Sequence, residues 1–196
     1  MARPFIENAD ERIIHATIAV ACHSDPGVFS TRKIAMAAHV SEYMIYDHFH
    51  NKKNLINACM MYLNGRYLHA ILSEAAKPHA DSFSFFNGFL NRMMAAPEET
   101  SFSLNYSEVF PREKKRDYYS LYVQLMMEAF HPFKDLAFSK DLSVDTWVNL
   151  LAFGIRESIQ DANFLLAKQV KDTPENRATM YRLIFQGLSS FLPKKE

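Results

Sequence analysis

The sequence predicts an all-α protein: an amino-terminal three-helix head followed by a larger carboxy-terminal helical bundle, about nine helices in total. Three observations carry this prediction. The chain has only 5 Gly and 8 Pro in 196 residues, too few for the turns of a hairpin-rich fold. Apolar side chains recur at three- and four-residue spacing in long runs, the period of a helix with one buried face. With 48% hydrophobic and 22% charged residues, the chain can bury a substantial core.

Each element follows from local sequence. Ile6, Ala9, Ile13, Ala16 and Val20 mark a first helix over 6 to 22, ended by the turn Ser24-Asp25-Pro26-Gly27. Ser30 or Thr31 caps a short second helix through Ile34, Ala35 and Ala38. Ser41 caps a third, with Glu42 in its first turn and Ile45 and Phe49 one turn apart on one face. Asn51 opens a long fourth helix through Leu55, Cys59, Leu63, Leu68 and Leu72 to about Lys77, where Pro78 stops it.

Beyond Pro78 the texture changes. Phe83, Phe85, Phe86, Phe89, Met93 and Met94 crowd one helix closed by Pro97, and further helices are expected at about 98 to 110 and 112 to 130. The last two run from about Ser143 to Lys171 and from Pro174 onward. The expected division is a head at 1–51 and a ligand-binding and dimerisation domain at 52–196.

Helices two and three span about twenty residues with a short turn between them, the proportions of a helix-turn-helix, whose second helix enters the DNA major groove. Ile34, Ala35, Val40, Ile45 and Phe49 would lock the pair onto helix one. That leaves Tyr43, Met44, Tyr46, Asp47 and His48 on other faces, too polar and too bulky to share one core.

At Gly27, Ser30, Ile34-Ala35, Ala38, Val40-Ser41, Tyr46, His48-Phe49, Lys52 and Leu55 the chain resembles the TetR family of transcriptional regulators. The resemblance covers residues 6 to 56, about a quarter of the chain. His39 departs from it, standing where the family has a turn glycine, as do Tyr43 and Met44, where small residues are usual.

The resemblance implies that Ser30 or Thr31, Tyr46, His48 and Lys52 touch phosphates, with Arg32 and Ser41 at helix starts aimed at the backbone, while Glu42, Tyr43 and Met44 face base edges. The chemistry suits these roles. Hydroxyls, helix amino termini and cations position a protein on phosphates, a carboxylate accepts from cytosine N4, and apolar groups pack on thymine methyls. The resemblance also implies an effector cavity among the middle helices, lined by Phe86, Phe89, Met93, Tyr106, Tyr122, Met126 and Phe153; the scarcity of charge in that set suits a neutral aromatic or acyl effector.

Charge nominates no partner by itself. Lys plus Arg and Asp plus Glu are 22 each, and residues 1 to 56 hold six positive and six negative side chains. His39, His48 and His50 show no converging ligand set, so no metal is expected, and no nucleophile-base-orienter set points to an enzyme. Cys22 and Cys59 sit in apolar helical patterns, which argues for buried thiols rather than a disulfide. With no long apolar span or signal pattern, the expected compartment is the cytoplasm.

The sequence thus leads to a ligand-responsive, DNA-binding transcriptional regulator, in the repressor sense. It would form a homodimer through the apolar faces of its last two helices, using residues such as Trp147, Leu151, Tyr181, Phe185 and Leu188, bind a palindromic operator and be released by a small effector; no cofactor is expected. The alternative is a helical interaction protein with a degenerate helix-turn-helix and no sequence-specific DNA binding.

Overall fold

A computed structural model describes residues 8–22, 24, 28–78, 80–106 and 143–189. These residues form eight helices and no strand. In chain order they are α1 (Ala9–Ala21), α2 (Thr31–Ala38), α3 (Glu42–Phe49), α4 (Lys52–Ala75), α5 (Ser82–Met94), α6 (Pro97–Tyr106), α7 (Val144–Leu166) and α8 (Pro174–Ser189). The helix expected at 112 to 130, with Tyr122 and Met126, lies outside the described residues, as does the Asp25-Pro26-Gly27 turn.

Helix starts carry the caps read from the sequence. Ser30, Ser41, Asn51 and Ser143 each accept a hydrogen bond from the backbone N–H three residues on, as Asp81 does at the start of α5. One end differs from expectation. α7 stops at Leu166 rather than near Lys171, because Lys168 adopts a left-handed φ of 56° and the N–H groups of Gln169 and Val170 both turn back to the Phe164 carbonyl.

The head is a three-helix core closed by the start of α4. Ile13 of α1, Ile34 of α2, Ile45 of α3 and Leu55 of α4 are at most 2% exposed and belong to one apolar cluster. Removing any of them would leave a cavity costing about 2–5 kcal/mol. Cys22 and Cys59 are buried free thiols, and desolvation pushes the Cys59 thiol up, so it fills space rather than reacts.

α4 is the longest element, 24 residues or about 36 Å. Its first half packs in the head through Leu55 and Cys59; its second half packs Leu63, Tyr67, Leu68 and Ile71 against α5 and α6. Polar bonds tie these parts together. Ser101 and Asn105 of α6 both donate to the Cys22 carbonyl at the end of α1, at 3.0 and 3.1 Å. Tyr67 donates to the Glu99 carbonyl at 3.2 Å and shares a hydrogen bond with Ser103 at 2.8 Å. α5 meets α7 and α8 on another side.

Tyr181 of α8, which the sequence placed on a dimer surface, faces inward instead. Its ring lies 5.4 Å from that of Phe83, and its hydroxyl hydrogen-bonds Ser82. A tyrosine with both an apolar wall and a polar partner in reach is satisfied within its own chain. The other residues read as that surface, Trp147, Leu151, Phe185 and Leu188, have side chains outside the described set.

Candidate nucleic-acid interface

The α2–α3 turn depends on His39. Its φ of 51° and ψ of 47° put it in the left-handed region, where glycine is the usual residue. The turn closes with hydrogen bonds from His39 N to Met36 O at 3.2 Å and from Val40 N to Ala35 O at 2.9 Å. Ser41 then starts α3, its Oγ accepting from Met44 N at 3.3 Å. At the far end His50, at φ 66°, turns the chain into the Asn51 cap of α4.

These two turns fix which side of α3 faces out. Ile45 is 2% exposed and packs inward, with Phe49 one turn on half-buried beside it. Helical geometry carries positions 43, 46 and 47 to the other side. Tyr43 is accordingly 58% exposed and Tyr46 44%, large side chains held in water on the outer face of an eight-residue helix, with Met44 half-buried.

Residues 13–59 match the family model described as bacterial regulatory proteins, tetR family. Over these residues the head is TetR-like. Solved structures share the fold over nearly the whole chain. A TetR family transcription regulator from Marinobacter aquaeolei VT8 aligns with TM-score 0.66 at 16% identity, covering 91% of this chain and 94% of the other. A TetR-like transcriptional regulator from Rhodococcus sp. RHA1 aligns with TM-score 0.60 at 14% identity, over 95% and 99%. The fatty acid degradation regulator FadR from Bacillus halodurans aligns with TM-score 0.58 at 19% identity, over 94% and 96%. No curated protein sequence matches the chain.

On this TetR-type head the site residues divide into exposed and engaged. Ser30, Arg32, Ser41, Glu42, Tyr43, Tyr46, His48 and Lys52 are all exposed. Ser30 and Ser41 use their oxygens as caps but keep their hydroxyl protons to donate. Thr31 departs from its expected role as a phosphate contact: it is 8% exposed and its Oγ1 donates to Glu42 Oε2 at 2.9 Å. His48 is bound through Nδ1 to Asp10 of α1. Lys52 donates to the Phe29 carbonyl at 2.9 Å.

The head's neutral charge has a local explanation. Asp10 pairs with His48, Glu42 takes the Thr31 hydroxyl, and Asp47 accepts from Tyr43 Oη at 3.2 Å. Among the described residues none of these carboxylates pairs with Arg32, Lys33 or Lys53, which stand exposed at the starts of α2 and α4. A net charge of zero therefore coexists with cations that are free to meet phosphate.

Among the described residues, those expected to line an effector cavity do not act as one set. Phe86 and Tyr106 are packed core groups, 6% and 1% exposed; Tyr106 stacks on Phe102 at 4.5 Å, and Phe86 lies 5.8 Å from the Tyr181 ring. Phe153 is half-buried on α7. Phe89 and Met93 do border a cleft of about 680 Å³ between α4 and the α5–α6 corner, but Arg66, His69, Arg92 and Glu99 border it too.

That charged rim was missed from the sequence. Arg66 pairs with Glu99 at 3.2 Å and Arg92 with Glu74 at 2.9 Å. The available signal was the spacing of Tyr62, Arg66 and His69 along one face of α4. Among the described residues no group of three or more His, Cys, Asp or Glu could hold a metal ion, and no helix is long and apolar enough to cross a membrane.

Proposed function

We propose that the chain is a cytoplasmic, non-enzymatic repressor that binds a palindromic operator as a homodimer and is released by a small apolar or aromatic effector. The observation that carries the DNA-reading part is the outer face of α3. Tyr43 and Tyr46 are 58% and 44% exposed while Ile45 between them is 2% exposed. Burying two tyrosines' worth of apolar surface would favour the fold; keeping it in water on a helix-turn-helix is consistent with a surface kept for a duplex.

Two-fold-related half-sites need two heads, with recognition helices roughly 34 Å apart. The proposed dimer pairs α7 and α8 with their symmetry mates. Leu183, on α8 and 64% exposed, belongs to that surface in place of Tyr181. The aromatic core around Phe86, Phe89 and Phe153 and the likeness to a regulator of fatty acid degradation favour an acyl or aromatic effector. The effector would act by changing the spacing of the heads through α4, and through α6, whose Ser101 and Asn105 hold the end of α1.

The neutral charge of residues 1 to 56 favours a second reading, an interaction protein whose reading head no longer selects DNA. Selection of bound sequences from a random duplex pool separates the two. A regulator enriches a palindrome; a degenerate head enriches nothing.

A further inference from the structure

We infer that Thr31 is a positioning residue that holds Glu42 as a cytosine reader, so that each half-site carries a cytosine preference set by two side chains from different helices. The inference rests on the DNA-reading function proposed above. Thr31 opens α2 and Glu42 opens α3, and the Oγ1–Oε2 hydrogen bond of 2.9 Å crosses the turn between them.

A glutamate at the start of an exposed helix has several rotamers of similar energy. The Thr31 hydroxyl, 8% exposed and fixed by the packing of α1 on α2, selects among them. It uses only Oε2. Among the described residues Oε1 has no protein partner, and Glu42 itself is exposed. The amino terminus of α3 makes the retained negative charge less costly there.

An ionised carboxylate oxygen accepts and cannot donate. In the major groove it meets guanine N7 and O6, adenine N7 and thymine O4, all acceptors that repel it, and two donors, cytosine N4 and adenine N6. Adenine N6 stands beside N7, an acceptor on the same edge, whereas cytosine N4 stands beside a C–H. The backbone phosphates repel the carboxylate at every sequence. Glu42 thus lowers affinity everywhere except where a cytosine amino group offsets the cost, which is selectivity gained by penalising wrong partners. A mobile glutamate would turn away from an unfavourable base; one held by Thr31 cannot do so without losing its bond.

The test is selection from a random duplex pool with the full chain and with Thr31→Val, Thr31→Ser and Glu42→Gln, together with affinity for non-specific duplex as a function of salt. The wild type is expected to prefer cytosine about tenfold at one position of each half-site. Thr31→Val, which keeps the shape and loses the donor, should weaken that preference several-fold, and Thr31→Ser should restore it. Non-specific affinity and its salt dependence should not change in either. Glu42→Gln should turn the preference toward adenine, which a glutamine can meet with both a donor and an acceptor.

Three results would overturn the inference: full cytosine preference in Thr31→Val, a uniform loss of affinity with a shallower salt dependence in that variant, the mark of a phosphate contact, or an unaltered preference in the exposed variant Glu42→Gln. A wild-type chain that selects no sequence at all would instead remove the DNA-reading function on which the inference rests.

Discussion

Lys52 holds Phe29 in two ways: its Nζ donates to the Phe29 carbonyl at 2.9 Å and lies 4.9 Å from the centre of the Phe29 ring. The first residue of α4 is thereby tied to the segment just before α2, and the ring it covers is itself 7% exposed and 6.4 Å from Tyr106 of α6. The resemblance implies for Lys52 a phosphate contact. The structure gives it a second task. Lys52→Met is expected to lower stability by about 0.5–1.5 kcal/mol in urea denaturation, and also to reduce the salt slope of DNA binding by about one phosphate contact. Normal stability with weaker binding would assign Lys52 to DNA alone.

His39 spends conformational energy to make the α2–α3 turn, since its φ of 51° lies where a side chain is crowded. Replacement by glycine relieves that crowding, though it frees the unfolded chain as well. His39→Gly should therefore raise stability by up to about 1 kcal/mol, while His39→Val, β-branched and least suited to positive φ, should lower it by about 1–2 kcal/mol. Thermal midpoints of the two variants give the comparison, and equal midpoints would contradict the reading of this turn.

Glu74 locks α4 to α5 from inside. Its side chain is 3% exposed and accepts from Lys77 Nζ at 2.6 Å and Arg92 Nε at 2.9 Å. Burial pushes its carboxyl up, but the hydrogen bonds and charges of Lys77 and Arg92 together outweigh this and hold it below its ordinary value of 4.5. A carboxyl that is more acidic folded than unfolded adds stability above its unfolded value, and that stability is lost as pH falls through the folded one. Glu74→Gln should cost about 2 kcal/mol at neutral pH, and its difference from the wild type should shrink below about pH 4. Denaturation midpoints at both pH values test this; a difference independent of pH would contradict it. Gly88 makes the lock possible, because a Cβ there would stand 2.0 Å from Glu74 Oε1. Gly88→Ala should be destabilising by about 1–3 kcal/mol.

What could be read in advance follows the range of the forces involved. Caps and helical period are local, so the serine and asparagine starts of α2, α3, α4 and α7 and the inward face of α3 were legible in sequence. Thr31 and Glu42 were each assigned to DNA because neither residue's neighbours reveal the other; their bond spans eleven positions. His48 and Asp10 are separated by thirty-eight. Glu74 gave no sign of burial because its partner Arg92 and the space at Gly88 come from another helix. Tyr181 read as an outward aromatic until Ser82 and Phe83 were placed against it. The cavity lining implied by the resemblance met the same difficulty: Phe86 and Tyr106 satisfy a core and a pocket wall equally well by composition.

The most direct check of the account is the affinity of Tyr46→Ala for a selected operator duplex, measured beside its thermal midpoint. Tyr46 is 44% exposed and its ring makes no hydrogen bond within the described residues, so its loss should leave stability within about 0.5 kcal/mol of the wild type. If the outer face of α3 lies against DNA, affinity should fall about tenfold or more with the midpoint unmoved. Undiminished affinity in a folded Tyr46→Ala chain would contradict the placement of that face on the duplex.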